Sequence, residues 1–340
     1  MGTELTQQHT MTMKIRNLAA LALGLALASC SGETQSPAEP RQPGPPPVQV
    51  NVPAFNPDSA YRYVAEQVAF GPRVPNTPAH DSCAAYLAAK LASFGAEVVV
   101  QRATVQAWDG TPLRIQNIVG QFQPEKASRL LLFAHWDTRP YADEDADASR
   151  RQEPILGAND GASGVGVLLE MARLLGQTPT SLGVDIIFFD AEDYGNPTAS
   201  DMESWCLGSA HWARQPHKAG YRARNGILLD MVGGHGATFT QESYSLEYAP
   251  DMVRKFWRAA SDLGYSGYFP VVETRFVGID DHVPVSEIAG IPSINIIQFN
   301  PENGGFGSFW HTHDDDMDAV SKTTLEAVGR SLARVVYSEQ

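Results

Sequence analysis

The chain predicts an α/β fold: one domain with a mixed, mostly parallel central sheet and helices on both faces. Two observations point to the α/β class. Apolar runs of strand length alternate with amphipathic segments of helix length. The runs are nearly continuous in apolar residues, as strands are when covered on both faces. Composition is permissive, at 43% hydrophobic and 19% charged over 340 residues, which suits one sizeable core.

Taken in order, SAYRYVAEQVAF (59–70) and SCAAYLAAKLASFG (82–95) read as helices. RLLLFAHWD (129–137) reads as a strand ending in His135 and Asp137. GASGVGVLLEMARLL (161–175) has the residue types of a helix packed on a sheet, with Asp160 just before its positive N-terminus. VDIIFFDAED (184–193) and NGILLDMVG (225–233) are strands that end in Asp190, Glu192 and Asp193, and in Asp230. APDMVRKFWRAASDLG (249–264) is a helix, PSINIIQF (292–299) a strand, and TTLEAVGRSLARVVYS (323–338) the final helix.

The N-terminus predicts export. Lys14 and Arg16 precede the short apolar run LAALALGLALAS, which is below the roughly 20 residues of a membrane span but suits a signal peptide. LASC, ending at Cys30, resembles the lipobox of bacterial lipoproteins. Residues 1–30 are therefore expected to be a signal segment, with Cys30 as a lipid anchor; an ordinary secretory signal is the alternative. Residues 31–55 are a Pro-rich tether expected to be disordered, and 56–340 the folded domain. Expected localisation is the periplasm or cell envelope, with membrane contact only through the anchor. A net charge of −14 excludes a nucleic-acid surface, which needs clustered Lys and Arg. Cys83 and Cys206 could form a disulfide or remain buried thiols. No interface stripe is evident, so a monomer is expected.

In open α/β sheets functional groups gather at the carboxyl ends of strands, where the acids above would meet. GIDDH (278–282) and SFWHTHDDD (308–316) add Asp280 and His311. Histidine with carboxylates and no cysteine is the donor set of a borderline cation, zinc being the usual one. A cation also accounts for Glu192 and Asp193 side by side: adjacent residues point in different directions, so one can bind metal while the other faces a substrate.

AHWDT (134–138), GANDGASG (157–164), DAED (190–193), LLDMVG (228–233) and FWHTHDD (309–315) resemble, in order, the motifs of zinc aminopeptidases with a bridging aspartate. They are more similar still to animal-type glutaminyl cyclases and their bacterial relatives. The resemblance implies one zinc held by Asp160, Asp193 and His311, with Asp193 standing where vertebrate members have Glu. It implies Glu192 as catalytic acid/base, Asp230 and Asp280 as hydrogen-bonded relay acids, and Trp205 and Trp310 as pocket walls. The substrates implied are peptides and proteins with N-terminal glutamine.

The rival expectation is a zinc aminopeptidase, because His135, Asp160, Asp193, Asp230 and His311 would also fill a two-metal site. Asp280 and the two tryptophans favour the cyclase. A catalytically dead binding domain fits poorly with retention of Glu192 and every ligand. His135 is expected to be a spectator held by a carboxylate, and Asp137 to orient a neighbour. Trp136, Trp212 and Trp257 are expected in the core. DEDAD (143–147), HDDDMD (313–318) and His313 are expected in solvated loops.

Overall fold

The computed structural model describes residues 51–198, 202–275, 278–300 and 304–339. The expected signal segment, Cys30 and most of the tether lie outside the described residues.

The elements are α1 (Pro57–Val68), α2 (Pro78–Ser93), β1 (Glu97–Gln106), β2 (Pro112–Phe122), β3 (Arg129–His135), α3 (Ala162–Gln177), β4 (Gly183–Phe189) and α4 (Leu207–Arg214), followed by β5 (Gly226–Asp230), β6 (Gln241–Glu242), α5 (Ser243–Tyr248), α6 (Pro250–Asp262), β7 (Glu273–Thr274), α7 (His282–Glu287), β8 (Ser293–Ile297) and α8 (Lys322–Ser338). Local chemistry starts the longer helices. Asn56 and Thr77 cap α1 and α2 through bonds from the Ser59 and His80 amides, each with proline in the first turn, and Ser321 caps α8.

The main sheet runs β1-β2-β4-β3-β5-β8. Its four strands β4, β3, β5 and β8 are parallel, and β1 and β2 join antiparallel at one edge. The expected sheet is present, with an antiparallel edge pair in addition to the strands read from the apolar runs. Strand β1 lacks an unbroken apolar run because half-buried and exposed residues alternate along it.

Strand period two divides the core between the faces. Leu130, Leu132 and Ala134 of β3 join Ile186 and Phe188 of β4 on the face covered by α1, α2, α3, α6 and α8. Leu131, Phe133, Ile187 and Phe189 point the other way, toward Trp212 of α4 and Val285 of α7. Trp136, Trp212 and Trp257 are all buried, as expected. Helix α3 lies so close to β5 that a Cβ on Gly164 would run into the Leu229 carbonyl oxygen. Under the opposite face, buried Asp185 binds Arg129 Nε at 2.5 Å and Nη2 at 2.6 Å, and accepts the Tyr221 hydroxyl at 2.6 Å.

The described cysteines, Cys83 and Cys206, are both free and buried. The thiol alternative therefore holds.

Candidate active site

Strands β3, β4 and β5 end together at one edge of the sheet, and α3 begins there. That convergence brings residues far apart in sequence into one cluster. Asp160 is its centre: Oδ1 lies 3.0 Å from His135 Nε2, and Oδ2 lies 3.9 Å from His311 Nε2. His311 Nε2 is also 3.3 Å from Asp193 Oδ1. Donor atoms of Asp160, Asp193 and His311 all fall within 4.8 Å of one another, as do those of His135, Asp160 and Asp230.

The residues fit a zinc ion on their own geometry. Two carboxylates and an imidazole converge, Asp193 Oδ2 is buried without a hydrogen-bond partner, and three protein ligands leave a position open, as in catalytic zinc sites. Burial disfavours a charge on His311, but Asp193 and Asp143 lift its pKa to about 9. Burial likewise opposes a charge on His135, yet Asp137, Asp160 and Asp230 raise it well above the usual imidazole value. His135 is thus held among carboxylates, in a second group of three donors that shares Asp160 with the first.

The acid pair is positioned by the backbone. Asp137 accepts the amides of Glu192 at 3.1 Å and Asp193 at 3.2 Å, the orienting role expected of it. Ala191, Cys206, Met231 and His311 all have positive φ, between 46° and 57°. These four left-handed residues are neighbours or members of the site, and such strain persists where surrounding structure over-determines it.

Glu192 lies in a cavity of about 230 Å³ that it shares with Asp280, Asn295, Trp205 and Trp310. Burial is the main reason its carboxyl is pushed well above the usual range; Asp193, Asp280 and Asp281 add to this and His135 opposes it. Burial and Asp230 push Asp280 up to about 7. Asp280 accepts the Asp281 amide and the Asn295 side-chain amide, each at 2.6 Å. Asp230 Oδ1 sits 3.1 Å from His135 Nε2. The two expected relay acids are therefore engaged differently: Asp280 groups with Glu192, within 4.8 Å, and Asp230 with His135. Trp310 stacks on His311 at 3.8 Å and Trp205 faces it from 6.1 Å, both nearly parallel to the imidazole.

The two acidic runs are not simply solvated. Asp143 Oδ1 lies 3.3 Å behind His311 Nδ1 and Asp143 pairs with Arg139. Arg139 in turn donates to the Asp193 carbonyl at 3.0 Å and lies over the Trp205 ring. Asp315 is fully buried and accepts the Asn159 amide at 2.6 Å and the Asp160 amide at 2.9 Å. His313 is not a loose loop residue either, because Asp145 Oδ2 lies 2.6 Å from its Nδ1. Sequence reading missed Arg139, Asp143, Cys206 and Asp315 as parts of the site. A long carboxylate run resembles any solvated loop until folding shows which member turns inward.

A parallel sheet whose strand ends gather an aspartate between two histidine–carboxylate sets defines the class of zinc-peptidase-like folds. The chain belongs to peptidase family M28, whose pattern matches residues 117–336. Its structure is similar to that of a glutaminyl cyclase from Bacteroides thetaiotaomicron bound to N-acetylhistamine, at 53% identity and TM-score 0.83, covering 85% of this chain and 100% of that one. The glutaminyl-peptide cyclotransferase of Bos taurus is 25% identical over 76% of each chain. Aminopeptidase YwaD of Bacillus subtilis (strain 168) is 30% identical over 65% of this chain, a match that spans 44% of that protein's length. The resemblance to glutaminyl cyclases read from the motifs is borne out.

Proposed function

We propose that the protein is a glutaminyl-peptide cyclotransferase, an acyltransferase that converts N-terminal glutamine of peptides and proteins to pyroglutamate and releases ammonia. The observation that carries this is the small cavity itself: Glu192 and Asp280 share it with the ligand set, and Trp205 and Trp310 wall it. About 230 Å³ suits one side chain and its α-amine. Similarity to solved glutaminyl cyclases supports the same reading.

Asp160, Asp193 and His311 would hold one zinc ion, which when bound polarises the side-chain amide and stabilises charge on its oxygen. This chain's own residues do the rest. The tryptophans orient the flat amide. Glu192 takes a proton from the substrate's α-amine as its nitrogen attacks the amide carbon. Glu192 then returns that proton to the departing nitrogen as the old C–N bond breaks, giving ammonia and a closed lactam. Proton transfer of this kind contributes roughly 10²–10⁴ in rate, and ring closure within one substrate needs no second reactant. Asp280, fixed by Asn295, stands beside Glu192 and raises its proton affinity.

A second reading, hydrolysis of N-terminal residues, is favoured by one observation: His135, Asp160 and Asp230 form a complete set for a second ion. Mass spectrometry separates the two. A glutamine-initiated peptide should lose one ammonia and keep its length, with about one zinc bound per chain. A shortened peptide with free glutamine, and two zinc ions, would overturn the cyclase. Export and anchoring at Cys30 belong to the proposal too, supported by residues 14–30; failure of Cys30 to take up labelled fatty acid in a bacterial host would remove the anchor.

A further inference from the structure

Beside Glu192 lies a third donor cluster, distinct from the two histidine–carboxylate sets. Cys206 Sγ is 3.4 Å from Glu192 Oε1, and donor atoms of Glu192, Cys206 and Asp280 lie within 4.8 Å of one another. The thiol is fixed in place, because the Cys206 amide bonds the Glu192 carbonyl at 3.0 Å and the residue holds a left-handed conformation ahead of α4. A separate feature points to a ligand. Asn295 is 2% exposed and shares this cavity; its Nδ2 donates to Asp280, while its Oδ1 is buried with no partner. That orphaned acceptor belongs to the residue that fixes Asp280, and it is left with no donor or cation of its own.

The donor chemistry selects the occupant. Magnesium and calcium take oxygen shells, whereas a thiolate among carboxylates suits zinc and softer cations. We propose that Glu192, Cys206 and Asp280 form an inhibitory site for a thiophilic divalent cation, zinc in excess or cadmium, separate from the catalytic ligand set. Binding breaks the Cys206 S–H bond, releases the proton to solvent and forms a sulfur–metal bond. It also occupies the Glu192 oxygen, so turnover stops; that consequence rests on Glu192 being the acid/base. Burial and the neighbouring carboxylates push the pKa of the free thiol well up, which makes it a poor nucleophile whose proton a bound metal must displace.

The test uses the full chain loaded with one zinc, titrated with cadmium. Thiolate–cadmium charge-transfer absorption reads binding, and ammonia release from a glutamine-initiated peptide reads activity. The absorption should rise to one cadmium per chain as activity falls. Cys206→Ala and Cys206→Ser should lack the absorption, and each should need at least about 10–100-fold more cadmium for equal fractional inhibition. Cys30→Ala and Cys83→Ala should titrate like the parent chain. Absence of the absorption in the parent, its persistence without Cys206, or unchanged cadmium sensitivity in both Cys206 variants overturns the site. Absorption that appears while turnover continues overturns the inhibition, and with it the role of Glu192, without touching the site.

Discussion

Asp315 accepts the backbone amide of Asp160 at 2.9 Å across 155 residues of chain. Through that bond, and its companion to Asn159 at 2.6 Å, the C-terminal loop holds the turn that presents the central carboxylate. Asp315→Ala should strand two buried amides. At about 1–3 kcal/mol for a buried group left unsatisfied, stability should fall by a few kcal/mol, and zinc affinity by about 10–100-fold. Urea unfolding and competition with a chromogenic chelator would check both; unchanged zinc affinity would detach Asp315 from the site.

Glu192→Gln removes a proton carrier while leaving the ligand set intact. Turnover should drop by about 10²–10⁴ with zinc content unchanged, measured by ammonia release and elemental analysis. A variant as active as the parent would require another base.

Trp310 stacks on His311 at 3.8 Å and lines the pocket with Trp205. Trp310→Ala should weaken substrate binding more than chemistry. Loss of one cavity wall removes apolar contact with the substrate side chain, and about 1 kcal/mol at roughly 25 cal/mol per Å² corresponds to a KM rise of several-fold. Steady-state kinetics on a glutamine peptide would read it, and a fall in kcat alone would argue instead for distortion of His311.

Asp185 serves the fold and not the chemistry. It binds Arg129 and Tyr221 beneath the sheet, so Asp185→Ala leaves a buried guanidinium unpaired. The expected cost is about 3–5 kcal/mol, seen as a lower urea midpoint. Folded protein should keep its zinc and its kcat; lost zinc at low temperature in folded material would contradict this separation.

Zinc removal gives the last check. Dialysis against a chelator should abolish activity, and a single equivalent of zinc should restore it. Restoration that requires two equivalents would favour the ligand set built on His135 and Asp230 as a second working site.

Much of the site is legible in sequence because the parallel strands announce themselves. Apolar runs at 130–134, 186–189 and 227–229 read as strands buried on both faces, and a parallel sheet sends all their carboxyl ends to one edge. That topology gathers His135, Asp193 and Asp230 at one edge; the motif resemblance is what adds Asp160 and His311 to them. The edge pair lacks such runs because β1 alternates half-buried and exposed residues, while β2 buries the polar Asn117 and Gln121 among its apolar residues.

Sequence by itself determined which residue types could bind a cation and which strand ends would carry them, since hydrophobic burial fixes where those strands must lie. Only the tertiary structure decided the partners: that Asp143 stands behind His311, that Asp315 clasps the Asp160 turn, that Asp230 faces His135, and that Cys206 reaches Glu192. These are pairings between loops or loop ends, set by packing over long sequence separations. A one-dimensional pattern records that a carboxylate or thiol is present, but not which way the folded loop turns it.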